Sequence, residues 1–134
     1  MFRAFFVLML TIAMSACSLF SHKAPPEDID KAAGLFVRRL NAQEYDKIYE
    51  DAARKFKKTK NKTEILESLK ELGERGKVLD HRRTSMSFAD EGGDLIAQPT
   101  YSSQFEKGFA DLTLSFVDEG GEWRLIGFSL RVRG

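Results

Sequence analysis

Phe109-Ala110-Asp111-Leu112-Thr113-Leu114-Ser115-Phe116-Val117 alternates apolar with polar residues, and Asp118-Glu119-Gly120-Gly121-Glu122 hands the chain on to Trp123-Arg124-Leu125-Ile126-Gly127-Phe128-Ser129-Leu130. A period of two sets Ala110, Leu112, Leu114 and Phe116 on one face of a strand and Asp111, Thr113 and Ser115 on the other. The paired glycines supply the positive φ angles that a tight hairpin needs. The same device stands upstream, where Asp90-Glu91-Gly92-Gly93-Asp94 separates a run from Val78 to Ala89 from a second run, Leu95 to Phe105. Leu95, Ala97, Tyr101, Ser103 and Phe105 share a face there, and Pro99, which has no N–H to give to a ladder, predicts an edge strand or a bulge. With Glu106-Lys107-Gly108 as the joint, two hairpins make a four-stranded antiparallel meander.

Before Val78 the period changes to that of a helix. Ile29, Ala32, Ala33, Phe36, Val37 and Leu40 recur at steps of three and four, with Pro26 suited to the first turn. After Asn41-Ala42-Gln43, the stripe Tyr45, Ile48, Tyr49, Ala52, Ala53 and Phe56 predicts a second helix running to about Lys57. The third opens on Asn61-Lys62-Thr63-Glu64, a capping side chain three residues before a Glu. Ile65, Leu66, Leu69 and Leu72 line its face, and Gly73 or Gly76 ends it. Helices first and strands after give an α+β fold. The expected domain spans residues 27–134, with its N-terminal helices packed on the meander.

Composition limits what such a domain does. A formal net charge of +1 argues against wholesale nucleic-acid binding, which shows as a strongly basic domain. One Cys excludes an internal disulfide, and with His22 and His81 the only histidines there are too few ligands for a Cys/His zinc site. No Gly-rich phosphate loop, Ser-His-Asp order or paired-carboxylate cluster stands out. The reading therefore includes no metal, no cofactor and no catalytic residue.

The N-terminus carries the most specific signal. Met1-Phe2-Arg3 precedes an apolar run from Ala4 to Met14 that is broken by Thr11 alone, the form of a signal peptide. Met14-Ser15-Ala16-Cys17 resembles the bacterial lipobox. That resemblance implies cleavage after residue 16 and acylation of Cys17, so that several acyl chains hold the mature protein on a membrane. Ser18, where an Asp would signal inner-membrane retention, implies the outer membrane, facing the periplasm. A transmembrane anchor and a secreted protein with an incidental Cys are the alternatives. Residues 17–26 then form the lipidated Cys and a tether that ends at Pro25-Pro26. Nine residues at ~3.3 Å each reach at most ~30 Å.

Glu44-Tyr45-Asp46-Lys47-Ile48-Tyr49, then Leu72-Gly73-Glu74-Arg75-Gly76, then long strands closing with Gly121-Glu122-Trp123-Arg124-Leu125-Ile126-Gly127 resemble the cystatin-like, nuclear-transport-factor-2-like roll. The likeness is closest to that family's small bacterial secreted and lipoprotein members. It covers most of Glu27 to Leu130, and it departs from longer members in lacking an early strand between the helices. In the steroid-isomerase and dehydratase-like branches such a roll encloses a cavity with an Asp or His acid-base group and a Tyr donor. The resemblance makes Tyr45, Tyr49, Tyr101 and Trp123 candidate pocket residues, with Asp80, His81 and Asp111 as titratable groups to locate. None matches a catalytic motif of those branches residue by residue. His81 reads as a surface histidine, and Asp111 should point away from the apolar face.

Arg54, Lys55, Lys57, Lys58, Lys60 and Lys62 crowd six positive charges into nine residues. They suit a helix C-terminus and a solvated loop. On a domain close to a membrane they also suit contact with anionic headgroups or an anionic envelope polymer, at ~1 kcal/mol for each Lys. The sequence thus points to a membrane-anchored lipoprotein acting as a binding or interaction module of the cell envelope. Its partners would be the membrane through the lipid on Cys17 and an envelope protein or anionic polymer. The alternative is an enzyme of the roll superfamily acting on a small apolar molecule in a helix-sheet cavity.

Overall fold

The computed structural model describes residues 24–133. The leader of residues 1–16, the lipobox with Cys17 and most of the tether lie outside the described residues. Four helices come first: α1 (Asp28–Asn41), α2 (Tyr45–Asp51), α3 (Arg54–Thr59) and α4 (Lys62–Gly73). Four strands follow as a meander in the order β1-β2-β3-β4: β1 (Val78–Glu91), β2 (Asp94–Phe105), β3 (Gly108–Glu119) and β4 (Glu122–Val132), every pair antiparallel. The fold is α+β, an open sheet with helices N-terminal to it.

α1 buries Ile29, Ala33, Phe36, Val37 and Leu40, its apolar stripe. Asp28 and Asp30 in its first turn and Arg38 and Arg39 in its last complement the helix dipole. The helix ends in a Schellman motif, with Glu44 N–H donating to the Arg39 carbonyl at 2.8 Å and Gln43 N–H to that of Leu40 at 3.0 Å. Gln43 holds φ at +57° in this motif, where glycine is the usual occupant. α4 begins as its sequence predicts, because Asn61 Oδ1 accepts from Thr63 N–H at 2.8 Å. It ends at Gly73, where a Cβ would stand 2.3 Å from the Tyr45 hydroxyl.

The second helix is a correction to the sequence reading. Ala52 and Ala53 are extended (ψ 159° and 146°), so the single predicted helix is two, α2 and α3. Alanine is the best helix former, so no local signal marks this break. Tertiary bonding makes it: Ala53 N–H donates to the Leu125 carbonyl of β4 at 2.9 Å, and both alanines are buried.

In the sheet, Tyr101 stands opposite Leu112, which stands opposite Leu130, and Ala97 is opposite Phe116. The resulting face carries Ala97, Tyr101, Phe105, Ala110, Leu112, Leu114, Phe116 and Leu125 into the core with the helix residues. The opposite face is polar along its middle, while Ile96 and Val117, paired with each other near the turns, are buried on it. Thr100 and Thr113 share a hydrogen bond at 2.9 Å there, and Gln98 donates to Ser115 at 3.1 Å. Pro99 is not on an edge strand, since β2 lies between β1 and β3. The ladder accommodates it by interruption: the β2–β3 pairing passes from Ala97 to Thr100, and β1 bulges between Arg83 and Ser85, close to Met86, which stands opposite Pro99. A second irregularity between Ser115 and Phe116 leaves Ile126 of β4 unpaired.

Candidate functional site

The four candidate pocket residues go to four different places. Tyr45 packs against the core beneath Gly73. Tyr49 faces the basic run, with Lys57 Nζ 5.5 Å and Lys62 Nζ 5.2 Å from its ring centre. Tyr101 is buried between α1 and the sheet, and its hydroxyl donates to Asp30 Oδ1 at 2.7 Å. Trp123 stands at the start of β4 and donates from Nε1 to the Pro25 carbonyl at 2.8 Å.

Around Tyr101 the structure gathers a polar cluster. Asp30 also pairs with Arg83 at 3.1 Å, His81 meets the Tyr101 ring edge-on at 5.6 Å, and the buried Ser103 donates to the Tyr101 carbonyl at 3.2 Å. His81 is half-buried rather than a surface residue, because its register opposite Ser103 puts it on the helix-covered face. Burial, and then the hydrogen bond to Asp30, hold the Tyr101 hydroxyl in its neutral form to well above its ordinary range. A neutral phenol on a carboxylate that is itself tied to an arginine is a pin between helix and sheet. Asp80 is exposed on β1, and Asp111 lies on the polar face, where it accepts from Arg133.

Trp123 borders a sizeable opening among the described residues. An open cleft of about 520 Å³ runs between α1 and the start of β4, lined by Ala32, Leu35 and Trp123 with Asp28, Lys31, Asp51, Glu122 and Arg124. A notch of about 70 Å³ continues inward to Phe36, Ile48, Phe116 and Leu125. Each carboxylate of the cleft has a cation: Asp28 has Lys31, Glu122 has Arg124 and Asp51 has Arg39. The cleft is therefore an apolar strip rimmed by ion pairs, and it presents no isolated acid or base. Sequence reasoning missed Leu35 and Ala32 because they belong to the same helical stripe and its flank. Only the angle of α1 across the sheet decides which of those positions stay uncovered.

The turn beside Trp123 collects two further elements. Asp118 Oδ2 accepts from Ala24 N–H at 2.9 Å, and Glu119 Oε2 accepts from Arg54 N–H at 3.1 Å. The chain thus enters the domain, and the basic run begins, on neighbouring residues of one hairpin tip. Lys55, Lys58, Lys60 and Lys62 are exposed, and none of the run's lysines forms an ion pair with a described carboxylate. Among the described residues there is no group of three or more His, Cys, Asp or Glu able to hold a metal, and no helix is long and apolar enough to cross a membrane. No protein-family model matches the chain, and no curated protein matches it.

Proposed function

We propose that the chain is a periplasm-facing lipoprotein, anchored in the outer membrane through acyl groups on Cys17, and that its domain is a binding module of the cell envelope. The observation that carries this reading is the shared hairpin tip. The tether arrives at Asp118 and the basic helix α3 starts at Glu119, so an anchor within ~30 Å of the domain brings the lysines toward the surface that holds it. Lys57, Lys58, Lys60 and Lys62 then contact anionic headgroups or an anionic envelope polymer. The open cleft beside Trp123 receives part of an envelope protein. Its paired carboxylates and apolar strip support binding over acid-base turnover.

Two experiments test the two parts. Metabolic labelling with a fatty acid should mark the wild-type protein and not Cys17→Ser, which should accumulate as unprocessed precursor; equal label in both would refute the lipid anchor. For the surface contact, the non-lipidated chain from Ser18 onward should sediment with anionic vesicles at low salt and leave them as salt rises. Each Lys→Gln among positions 57, 58, 60 and 62 should lower the partition roughly five-fold, the equivalent of ~1 kcal/mol. Binding that ignores both salt and these substitutions would leave the run as a solvated helix end.

A further inference from the structure

The meander has two outer edges, and the fold covers them unequally. On β4 the outward carbonyl of Leu125 is taken by Ala53 N–H at 2.9 Å. At the start of β1, the Asn41 amide imitates a neighbouring strand: it accepts from Val78 N–H at 2.8 Å and donates to the Val78 carbonyl at 3.0 Å. From Arg82 to Glu91, no described residue bonds to the outer side of β1. This stretch has neither Pro nor Lys, two common devices against edge pairing, and its one bulge, at Thr84, precedes the regular run Ser85 to Glu91.

The hairpin turn determines which backbone groups face outward. Glu91 and Asp94 flank the two-residue turn Gly92-Gly93, so they form the closing hydrogen-bonded pair, and pairs alternate from there. Ala89, Ser87 and Ser85 therefore bond inward to β2, while Asp90, Phe88 and Met86 present N–H and C=O groups to the outside. The same alternation counted from Glu119 and Glu122 turns Leu125 outward on β4, where Ala53 is found bonded to it. Side chains add a second feature. Met86 and Phe88 lie on the helix-covered face, and Phe88 is 51% exposed at the margin of an otherwise apolar layer.

We propose that this stretch pairs with a second copy of the same chain, antiparallel about Ser87, joining two four-stranded sheets edge to edge. In that register the outward groups of Met86 meet those of the partner's Phe88, and the reverse, so two hydrogen-bonded pairs form and two apolar side-chain contacts cover the exposed rings. Ser85 stands opposite the partner's Ala89. Beyond the bulge, which shifts the count by one, Arg83 faces the partner's Asp90 and Arg82 faces the partner's Glu91. The two-fold repeats each pair, so both ends of the joint carry opposite charges. A register one residue away would set outward groups against inward ones and would turn Phe88 toward the polar face.

Cysteine cross-linking of the full chain reads this register. Opposed Ser87 positions form a non-hydrogen-bonded pair with Cα atoms ~4.5 Å apart, within the ~4.4 to 6.8 Å that a disulfide spans. Ser87→Cys should give a reducible dimer when membranes or lysates are treated with a thiol oxidant. Ser85→Cys and Ala89→Cys should not dimerise singly but should link to each other when co-expressed. All three variants retain Cys17, so any cross-link through that residue appears equally in each and is subtracted. In the Ser87→Cys chain, Arg82→Glu should reduce the dimer several-fold and added Glu91→Arg should restore it. The proposal is overturned if Ser87→Cys stays monomeric or links no better than Ser85→Cys. It is equally overturned by a monomer whose Met86, Phe88 and Asp90 amides exchange slowly, since residues before Ala24 would then cover the edge. None of these outcomes depends on how the chain is anchored.

Discussion

Asp90-Glu91-Gly92-Gly93-Asp94 and Asp118-Glu119-Gly120-Gly121-Glu122 differ in their last residue alone, and they fold alike. In both, the first glycine has φ near +60° and the second near +90° (59° and 89°; 64° and 85°), and the Asp carboxylate accepts from the second glycine's N–H at 3.1 Å. Their tertiary use is different. Asp118 and Glu119 also receive Ala24 and Arg54 N–H groups, whereas Asp90 and Glu91 take no described bond from another element. Local sequence determines the turn, and what is brought next to it determines whether the turn acts as an anchoring point or a margin. At one end of the sheet, therefore, the β3–β4 corner is tied to the tether and basic helix, while the β1–β2 corner is left as a margin.

The largest expected effect comes from residues on which both tips depend. Leu114 lies midway along β3 and Leu69 midway along α4, and neither has any exposed surface. Leu114→Ala and Leu69→Ala should each cost ~2 to 5 kcal/mol, the lost transfer energy plus a cavity. In urea melts the two tips should unfold together. Changes below ~0.5 kcal/mol, the range of surface substitutions, would mean that the shared core is misassigned.

The tips themselves should separate at the next level. Asp90→Ala removes a turn bond and should cost ~0.5 to 1 kcal/mol. Asp118→Ala removes an equivalent bond and also leaves the half-buried contact to Ala24 unmade, and should cost ~1 to 3 kcal/mol. Equal losses would show that the Ala24 bond adds nothing and that the two tips are energetically the same. Limited proteolysis gives a second measure, because only Asp118→Ala should expose the chain near Pro25 and Pro26 to cleavage.

What was legible in the sequence follows the same division. The periods of two and of three to four, the glycine pairs and the Asn61 cap are local, and they gave the α+β order, the meander and its turns. The helix break at Ala52-Ala53 was not legible, since two good helix formers become extended only because β4 offers the Leu125 carbonyl. Pro99 carried half a signal: its missing N–H foretold an interrupted ladder but did not tell an edge strand from a central one. Of the site residues, Trp123 could be found as the residue after a tight turn. The dispersal of Tyr45, Tyr49 and Tyr101 depends on the direction in which each helix crosses the sheet. The basic run was plain in the sequence, but its position beside the chain's entry rests on Asp118 and Glu119, which read there only as turn residues.

An effect smaller than that of Asp118→Ala concerns the pin that ties α1 to the β1 and β2 side. Tyr101→Phe keeps the buried ring and removes its bond to Asp30, which retains Arg83, so no buried charge is left alone. A loss of ~0.5 to 1.5 kcal/mol near neutral pH is expected. The pH dependence identifies its origin. An unfolded tyrosine ionises near pH 10, while burial and the Asp30 bond keep the folded Tyr101 hydroxyl protonated to well above that value. A raised folded pKa contributes stability that is complete below the unfolded pKa and is lost as pH climbs toward the folded one. The wild-type protein should therefore lose stability above about pH 10 more steeply than Tyr101→Phe, and the gap between them should narrow. Denaturant melts across that window measure the narrowing, and the ultraviolet titration of the native protein should show Tyr101 ionising well above its ordinary range. A gap that stays constant with pH would make the ring's packing, and not its hydroxyl, the link between α1 and the β1–β2 side of the sheet.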